Sequence, residues 1–198
     1  MTTTGSDVSK QQSPTKLAHF VLRTSPEHYN KMIDFYTTFV GGIVSRHEQI
    51  SFIRYDDEHH RIGIMCQSNI HRGPPNPTSP GLDHVCFTYA NLKDLSAAYR
   101  VRKGRGMTPH WCTNHGPGTS MYYKDPDGNL VECQVDNFDN MDHAIEFIHG
   151  EEFKENPIGV DFDPEELFAK LDQGVDEHVL KKRANIGPRT DLPALFVR

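Results

Sequence analysis

Two histidines and one glutamate are of residue types that bind metals, and they lie in strand-like segments of the sequence. His19 and His84 each end a Leu-x-His triplet in a strand-like segment, and the chain contains 12 histidines in all. Glu132 lies between Val131 and Cys133 in an otherwise apolar run, where a buried charge requires a partner. Imidazole and carboxylate groups are ligands for divalent metals. His19, His84 and Glu132 are therefore candidate metal ligands.

An internal repeat relates these candidates to one another. His84 follows His19 by 65 residues, and Glu132 follows Met65 by 67 residues, so both pairs fit one repeat. Because side chains alternate along strands, equivalent residues point to equivalent sides of their sheets. If a pseudo-twofold axis relates the two copies, the four side chains converge on it. Met65 is a soft thioether and a poor ligand for a hard cation. The remaining set is the facial triad of non-haem Fe(II) oxygenases, two histidines and one carboxylate.

Each copy of the repeat is predicted to contain a strand, a helix and three further strands, over residues 16–70 and 81–136. Ser25 and Pro26 are typical of a helix start, and Gly41 of a helix end. Asn91 is predicted to cap the helix of the second copy. The sequence Asp-Pro-Asp-Gly at 125–128 predicts the turn between the last two strands. These elements indicate an α+β fold.

The segments outside the repeats have different compositions. Residues 1–15 are polar and without periodicity, which predicts a disordered leader. Four prolines in residues 71–80 predict a linker. Residues 137–198 predict a helical extension that packs along the repeats or across a subunit interface. Its first helix is expected over 138–149, with three apolar residues facing inward: Met141, Ile145 and Ile148.

Composition and charge exclude several classes of function. The net charge of −6 argues against a nucleic-acid partner. No apolar run approaches the roughly 18 residues that a membrane span needs, and the polar first 15 residues argue against a secretory signal. The four cysteines form no C-x-x-C pair. They are interpreted as free thiols, which predicts a reducing, cytoplasmic location.

The motifs of residues 16–136 together resemble the vicinal oxygen chelate superfamily, and within it the type I extradiol catechol dioxygenases. The stretches that carry the resemblance surround His19, His84 and the His59-His60 pair, and they include residues 120–132, which end at Glu132. The resemblance implies two βαβββ repeats that form an open, cup-like mixed β-barrel. It also implies Fe(II) as the cofactor, with Mn(II) as the alternative, and a catecholic substrate that reacts with O2.

The resemblance also implies three catalytic residues. His60, the second histidine of its pair, matches the acid–base histidine of the family. Tyr122, ten residues before Glu132, matches the substrate-binding tyrosine. His115 matches a second substrate-contacting histidine, although it lies seven residues before Tyr122 where the family usually has nine. His110 is the weaker alternative for this role.

Two other functions remain open for a chain of this pattern. The first is a metal-dependent isomerase or lyase of the glyoxalase type, which usually holds its metal with four protein ligands. The second is a non-catalytic module that sequesters a ligand, as in the bleomycin-resistance branch of the superfamily, which lacks the metal triad. In each case we expect a homodimer or a higher homo-oligomer.

Overall fold

The structure is a computed structural model that describes residues 13–70, 81–191 and 193. The predicted linker at 71–80, most of the predicted leader and most of the apolar C-terminus lie outside the described residues. Within the described part, no helix is long and apolar enough to cross a membrane.

The first repeat forms a four-stranded sheet with one helix. Its elements in chain order are β1 (Phe20–Thr24), α1 (Tyr29–Val40), β2 (Ile43–Ser45), β3 (Ile50–Arg54) and β4 (Ile62–Cys66). The strand order is β1-β4-β3-β2, with β1 parallel to β4 and the other neighbours antiparallel. The predicted end of α1 is confirmed, because Gly41 adopts the left-handed conformation with φ of 63°. The predicted start is wrong, since the N-cap residue is His28 and not Ser25.

The second repeat has the same order of elements and gains one strand from the extension. Its elements are β5 (His84–Tyr89), α2 (Leu92–Gly104), β6 (Trp111–Asn114), β7 (Gly118–Lys124) and β8 (Leu130–Asp136). The strand order is β5-β8-β7-β6-β9, where β9 is Val160–Asp161. Asn91 caps α2 as predicted, since its side chain accepts a hydrogen bond from the Asp94 amide at 2.8 Å.

The predicted turn between β7 and β8 is also confirmed, and it ties the two repeats together. Asp125 Oδ1 accepts hydrogen bonds from the Asp127 amide at 2.9 Å and the Asn129 amide at 2.8 Å. The hydroxyl of Tyr36, on α1 of the first repeat, donates to Asp125 Oδ2 at 2.9 Å.

Aromatic side chains and a buried arginine join the repeats into one core. Phe20 of β1 packs against Phe87 of β5, with ring centroids 6.1 Å apart. Arg102 of α2 is fully buried. Its Nε donates to the carbonyl of Phe39 at 3.0 Å, and its guanidinium carbon lies 4.0 Å from the centroid of that ring. The contact between Phe20 and Phe87 places the beginning of β1 beside β5.

The α+β class and the two βαβββ repeats are confirmed by the element order and the strand order. The repeats form two sheets that do not close into one barrel.

The strand registers correct one part of the predicted equivalence. Glu132 pairs with the residue two positions after His84, whereas Met65 pairs with the residue four positions after His19. Counted from the histidines, Gly63 and not Met65 is equivalent to Glu132. Because glycine has no side chain, the first repeat offers no fourth ligand at this register.

The extension packs along the second repeat. Its helices are α3 (Met141–His149), α4 (Glu151–Glu155), α5 (Pro164–Asp172) and α6 (Glu177–Lys181). The short strand β9 pairs with β6. Phe168 of α5 is only 2% exposed and packs against Tyr99 of α2, with ring centroids 5.3 Å apart.

The predicted orientation of the first extension helix is wrong. Met141, Ile145 and Ile148 are exposed by 59%, 48% and 41%, and the buried residue of α3 is Ala144. The helix begins three residues later than expected, where the Asn140 side chain accepts a hydrogen bond from the Asp142 amide.

Candidate active site

Glu132 and His84 form an ion pair between β8 and the first residue of β5. The Nε2 atom of His84 lies 3.0 Å from Glu132 Oε2, and its Nδ1 atom lies 2.6 Å from Asp83 Oδ1. Since an ionised carboxylate only accepts hydrogen bonds, both ring nitrogens of His84 donate. The histidine is therefore an imidazolium in this arrangement, held between an exposed carboxylate and a buried one.

The protonation states of this pair depend on each other. Burial acts to raise the pKa of Glu132, but hydrogen-bonding contacts with His84, Ser120 and Tyr122, together with the positive charge of His84, outweigh it and lower the pKa to about 2. The hydrogen bond between His84 and Glu132 raises the pKa of His84 to about 9. Both groups are therefore charged across the neutral range. A divalent cation that binds here must displace the Nε2 proton, because a metal binds the neutral imidazole.

Tyr122 and His115 form a second hydrogen-bonded pair next to the first. Tyr122 lies opposite Glu132 in the register of β7 and β8. His115 Nδ1 lies 2.6 Å from the carbonyl oxygen of Ile158, which can only accept, so Nδ1 carries a proton. Burial lowers the pKa of His115 and favours the neutral ring. Its Nε2 then accepts a hydrogen bond from the Tyr122 hydroxyl at 2.9 Å.

Tyr122 is held in its protonated form. Burial, followed by the negative charge of Glu132, raises the pKa of its hydroxyl. Its ring packs edge-on against His84, with centroids 5.4 Å apart. The two hydrogen-bonded pairs are therefore neighbours in one site on the second sheet.

The C-terminal extension positions His115. Asn156 is 4% exposed, and its Oδ1 accepts hydrogen bonds from the amides of Ile158 at 3.1 Å and Gly159 at 2.7 Å. Arg183 donates to the carbonyl of His115 at 3.1 Å and to that of Asn156 at 2.7 Å. The Ile158 carbonyl is thus presented to the imidazole by residues more than 40 positions away in the chain, and no local sequence signal points to this contact.

On the first sheet, Arg61 holds the segment that carries His19. Its NH1 donates to the carbonyl oxygens of the two residues before His19, at 2.8 and 3.0 Å. Asp56 fixes the guanidinium through contacts to Nε at 2.9 Å and NH2 at 2.8 Å. The ring of His19 lies 4.2 Å from that of His60, centroid to centroid.

His60 has an environment that suits a neutral imidazole. It is 9% exposed and packs against Phe52, with ring centroids 4.6 Å apart. Burial, followed by the proximity of His19 and His59, lowers its pKa. A neutral imidazole at physiological pH can accept a proton and return it.

The structure brings the predicted residues together in two groups. His84 and Glu132 are in contact, whereas the ligand atoms of His19, His59 and His60 all lie within 4.8 Å of one another. Among the described residues, that histidine cluster is the single set of three such atoms at this separation. His19 therefore turns toward His60 here, and the set of three ligands stays a prediction.

One aromatic residue of the site was missed by sequence reasoning. Trp111 stacks on Tyr122, with centroids 4.9 Å apart and an interplanar angle of 24°, and its Nε1 donates to Asp161 of β9 at 2.8 Å. It is the single tryptophan of the chain, which was the available signal. His110, the alternative to His115, has an exposed side chain, and its backbone amide donates to the Tyr122 carbonyl at 2.7 Å.

The two βαβββ repeats lie almost entirely in the part of the chain that a model of a known superfamily matches. The family model described as "Glyoxalase/Bleomycin resistance protein/Dioxygenase superfamily" matches residues 16–133. The chain belongs to this superfamily, which confirms the membership predicted from its motifs.

Two curated relatives are similar over most of the chain. "Biphenyl-2,3-diol 1,2-dioxygenase 2" of Rhodococcus globerulus is 40% identical over 150 residues, which cover 75% of this chain and 77% of the relative. "Biphenyl-2,3-diol 1,2-dioxygenase 3" of the same organism is 36% identical over 177 residues, which cover 85% and 88%.

A solved structure supports the fold alone. A glyoxalase/bleomycin resistance protein/dioxygenase domain from Frankia sp. EAN1pec superposes with a TM-score of 0.51 at 18% identity. The match covers 66% of this chain and 98% of that one.

Proposed function

We propose that this chain is a metal-dependent extradiol dioxygenase that cleaves the ring of a catechol with O2. The observation that carries the proposal is the grouping of Tyr122 and His115 beside the His84–Glu132 ion pair. The names of the two curated relatives support the same reaction.

The residues that would hold the metal are His19, His84 and Glu132. The donor set fits a divalent cation, because the buried carboxylate of Glu132 already faces a positive charge, the His84 imidazolium. Asp83 would orient the ligating histidine through its other nitrogen. Bound Fe(II), or Mn(II) as the alternative, would hold the two catechol oxygens and bring O2 to the ring. Each repeat would then supply one histidine at the beginning of its first strand, His19 directly before β1 and His84 as the first residue of β5.

Residues of this chain would orient the substrate and move protons. The Tyr122 hydroxyl stays protonated and can donate to a catechol oxygen, while His115 Nε2 offers an acceptor 2.9 Å from it. His60 is the acid–base residue of the proposal, because a buried, neutral imidazole can take a proton from the substrate and return it at ring opening. The indole of Trp111, stacked on Tyr122, is suited to contact an aromatic substituent.

We infer that the substrate is biphenyl-2,3-diol or a related catechol with an aromatic substituent. The test is oxygen uptake by protein reconstituted anaerobically with Fe(II), measured with a panel of catechols with and without that substituent. We expect uptake with at least one catechol, a 10²- to 10⁴-fold loss of rate in His60→Ala, and no loss in the exposed control His143→Ala. No uptake with any catechol would refute the proposal.

The strand register argues against a glyoxalase-type isomerase. Such an enzyme would take a fourth protein ligand from the first repeat, where the register places Gly63. The expected homodimer or higher oligomer is part of the proposal, and light scattering on the purified chain tests it.

A further inference from the structure

Three histidines of the first repeat form a cluster of their own. His19 precedes β1, and His59 and His60 lie in the loop between β3 and β4. One ring nitrogen from each lies within 4.8 Å of the other two. The ring centroids of His59 and His60 are 4.4 Å apart, and those of His19 and His59 are 6.2 Å apart.

A carboxylate fixes the orientation of His59. Its Nδ1 lies 2.5 Å from Glu58 Oε1, so Nδ1 donates and Nε2 keeps a free lone pair when the ring is neutral. Glu58 is held in turn by Lys16, whose Nζ lies 2.6 Å from Oε2. A carboxylate that orients a histidine in this way is the usual outer partner of a metal-binding imidazole.

The cluster is both preorganised and accessible. Arg61 clamps the backbone before His19 against the loop that carries the other two histidines. His19 and His59 are exposed and His60 is buried, so a cation can enter from solvent and meet a fixed inner ligand.

The donor types select the cation. Three imidazoles without a carboxylate favour borderline metals such as Zn²⁺, Cu²⁺ and Ni²⁺, whereas the oxygen donor of Glu132 favours harder cations. His19 is common to both sets, so it cannot serve both ions at once.

We propose that His19, His59 and His60 form a second cation site for a borderline metal, represented by Zn²⁺, and that its occupation withdraws His19 from the His84–Glu132 pair and inhibits the enzyme. The binding site stands on the histidine cluster alone. The inhibition rests on the proposed dioxygenase function.

Binding is tested by anaerobic equilibrium dialysis of the iron-loaded full chain against ZnCl2, with zinc and retained iron both measured. We expect one zinc ion per chain, a Kd raised about 10- to 100-fold in Glu58→Gln, and a still larger increase in His59→Ala. His143→Ala, an exposed histidine on α3, is the matched control and should bind as wild type. Equal zinc affinity in His59→Ala and wild type would overturn the site. Equimolar iron loss at the same zinc concentration in both proteins would also overturn it, because zinc would then have replaced iron without the help of His59.

Inhibition is tested by the ratio of oxygen-uptake rates with and without Zn²⁺ in each protein. We expect the zinc concentration for half-inhibition to rise in His59→Ala by the same factor as the Kd. Unchanged zinc sensitivity in an active His59→Ala protein would overturn the inhibitory role. If no catechol is turned over while His59→Ala still weakens zinc binding, the dioxygenase proposal fails and the cation site stands.

Discussion

Replacing Glu132 by glutamine tests the electrostatics of the candidate site in a metal-free protein. The pKa of His84 rises from 6.5 to about 9 because of the hydrogen bond with Glu132. That shift corresponds to about 3.4 kcal/mol at 1.36 kcal/mol per pKa unit. The His84 side chain is 32% exposed, and part of the shift comes from Asp83, which the variant keeps. Solvent screening and this remaining partner reduce the figure to about 2 kcal/mol. We therefore expect Glu132→Gln to lower the free energy of unfolding by about 2 kcal/mol near pH 6.

The loss should depend on pH in a definite direction. His84 has a raised pKa in the folded state, so its contribution is complete below pH 6.5 and is lost as the pH rises through about 9. Glu132 has a depressed pKa, so its contribution is complete above pH 4.5 and is lost as the pH falls through about 2. The difference between wild type and variant is therefore largest between pH 4.5 and 6.5. At pH 10 it should vanish or reverse, because the buried carboxylate has lost its partner's charge.

The assay is urea unfolding of chelator-treated protein at pH 6 and pH 10, followed by circular dichroism. Glu146→Gln, an exposed position on α3, is the matched control and should change stability by less than about 0.5 kcal/mol at both pH values. A stability loss in Glu132→Gln that is equal at pH 6 and pH 10 would refute the assignment of His84 as its charged partner.

Three further variants test the neighbouring contacts. Tyr122→Phe should lower kcat/KM by about 10- to 100-fold, since one hydrogen bond of roughly 1–3 kcal/mol is lost; an unchanged steady-state value would contradict its contact with substrate. Arg183→Ala should lower kcat/KM by about tenfold at unchanged metal content, because the carbonyl of His115 loses its donor; a parallel loss of metal would point to a different role. Phe168→Ala should lower the free energy of unfolding by about 3–5 kcal/mol in urea, and a loss below 1 kcal/mol would show that α5 contributes little to stability.

The sequence predicted the elements whose signals are local. The turn at Asp125 and the helix cap at Asn91 follow from side chains that bond to backbone amides two to four residues away, and both are in the structure. The repeat predicted that Glu132 and His84 lie in one site although 48 positions separate them in the chain, because the two copies follow one pattern of strands.

Features that depend on register or on distant contacts were not predictable in this way. Met65 was wrongly aligned with Glu132, because the registers of the two repeats differ by two residues. A shift of two residues keeps the alternation of side chains along a strand, so the sequence does not reveal it. The apolar face of α3 was predicted, from the periodicity of its residues, to point inward. Periodicity shows that a helix is amphipathic, but it does not show whether another element covers the apolar face. The contact between His115 and Ile158 depends on the path of the extension. The roles of Asp83 and Arg61 could have been suggested by the sequence, since each residue is adjacent to a predicted site histidine.

The most direct test of the account is the fate of the two oxygen atoms in the reaction. Iron-loaded protein should convert biphenyl-2,3-diol, or another catechol of the panel that it consumes, in ¹⁸O2 to a yellow ring-opened product. Mass spectrometry should find two ¹⁸O atoms in that product, apart from exchange with water, and one O2 consumed per substrate. Oxidation to a quinone without incorporation of ¹⁸O would contradict the assignment of this chain as an extradiol dioxygenase.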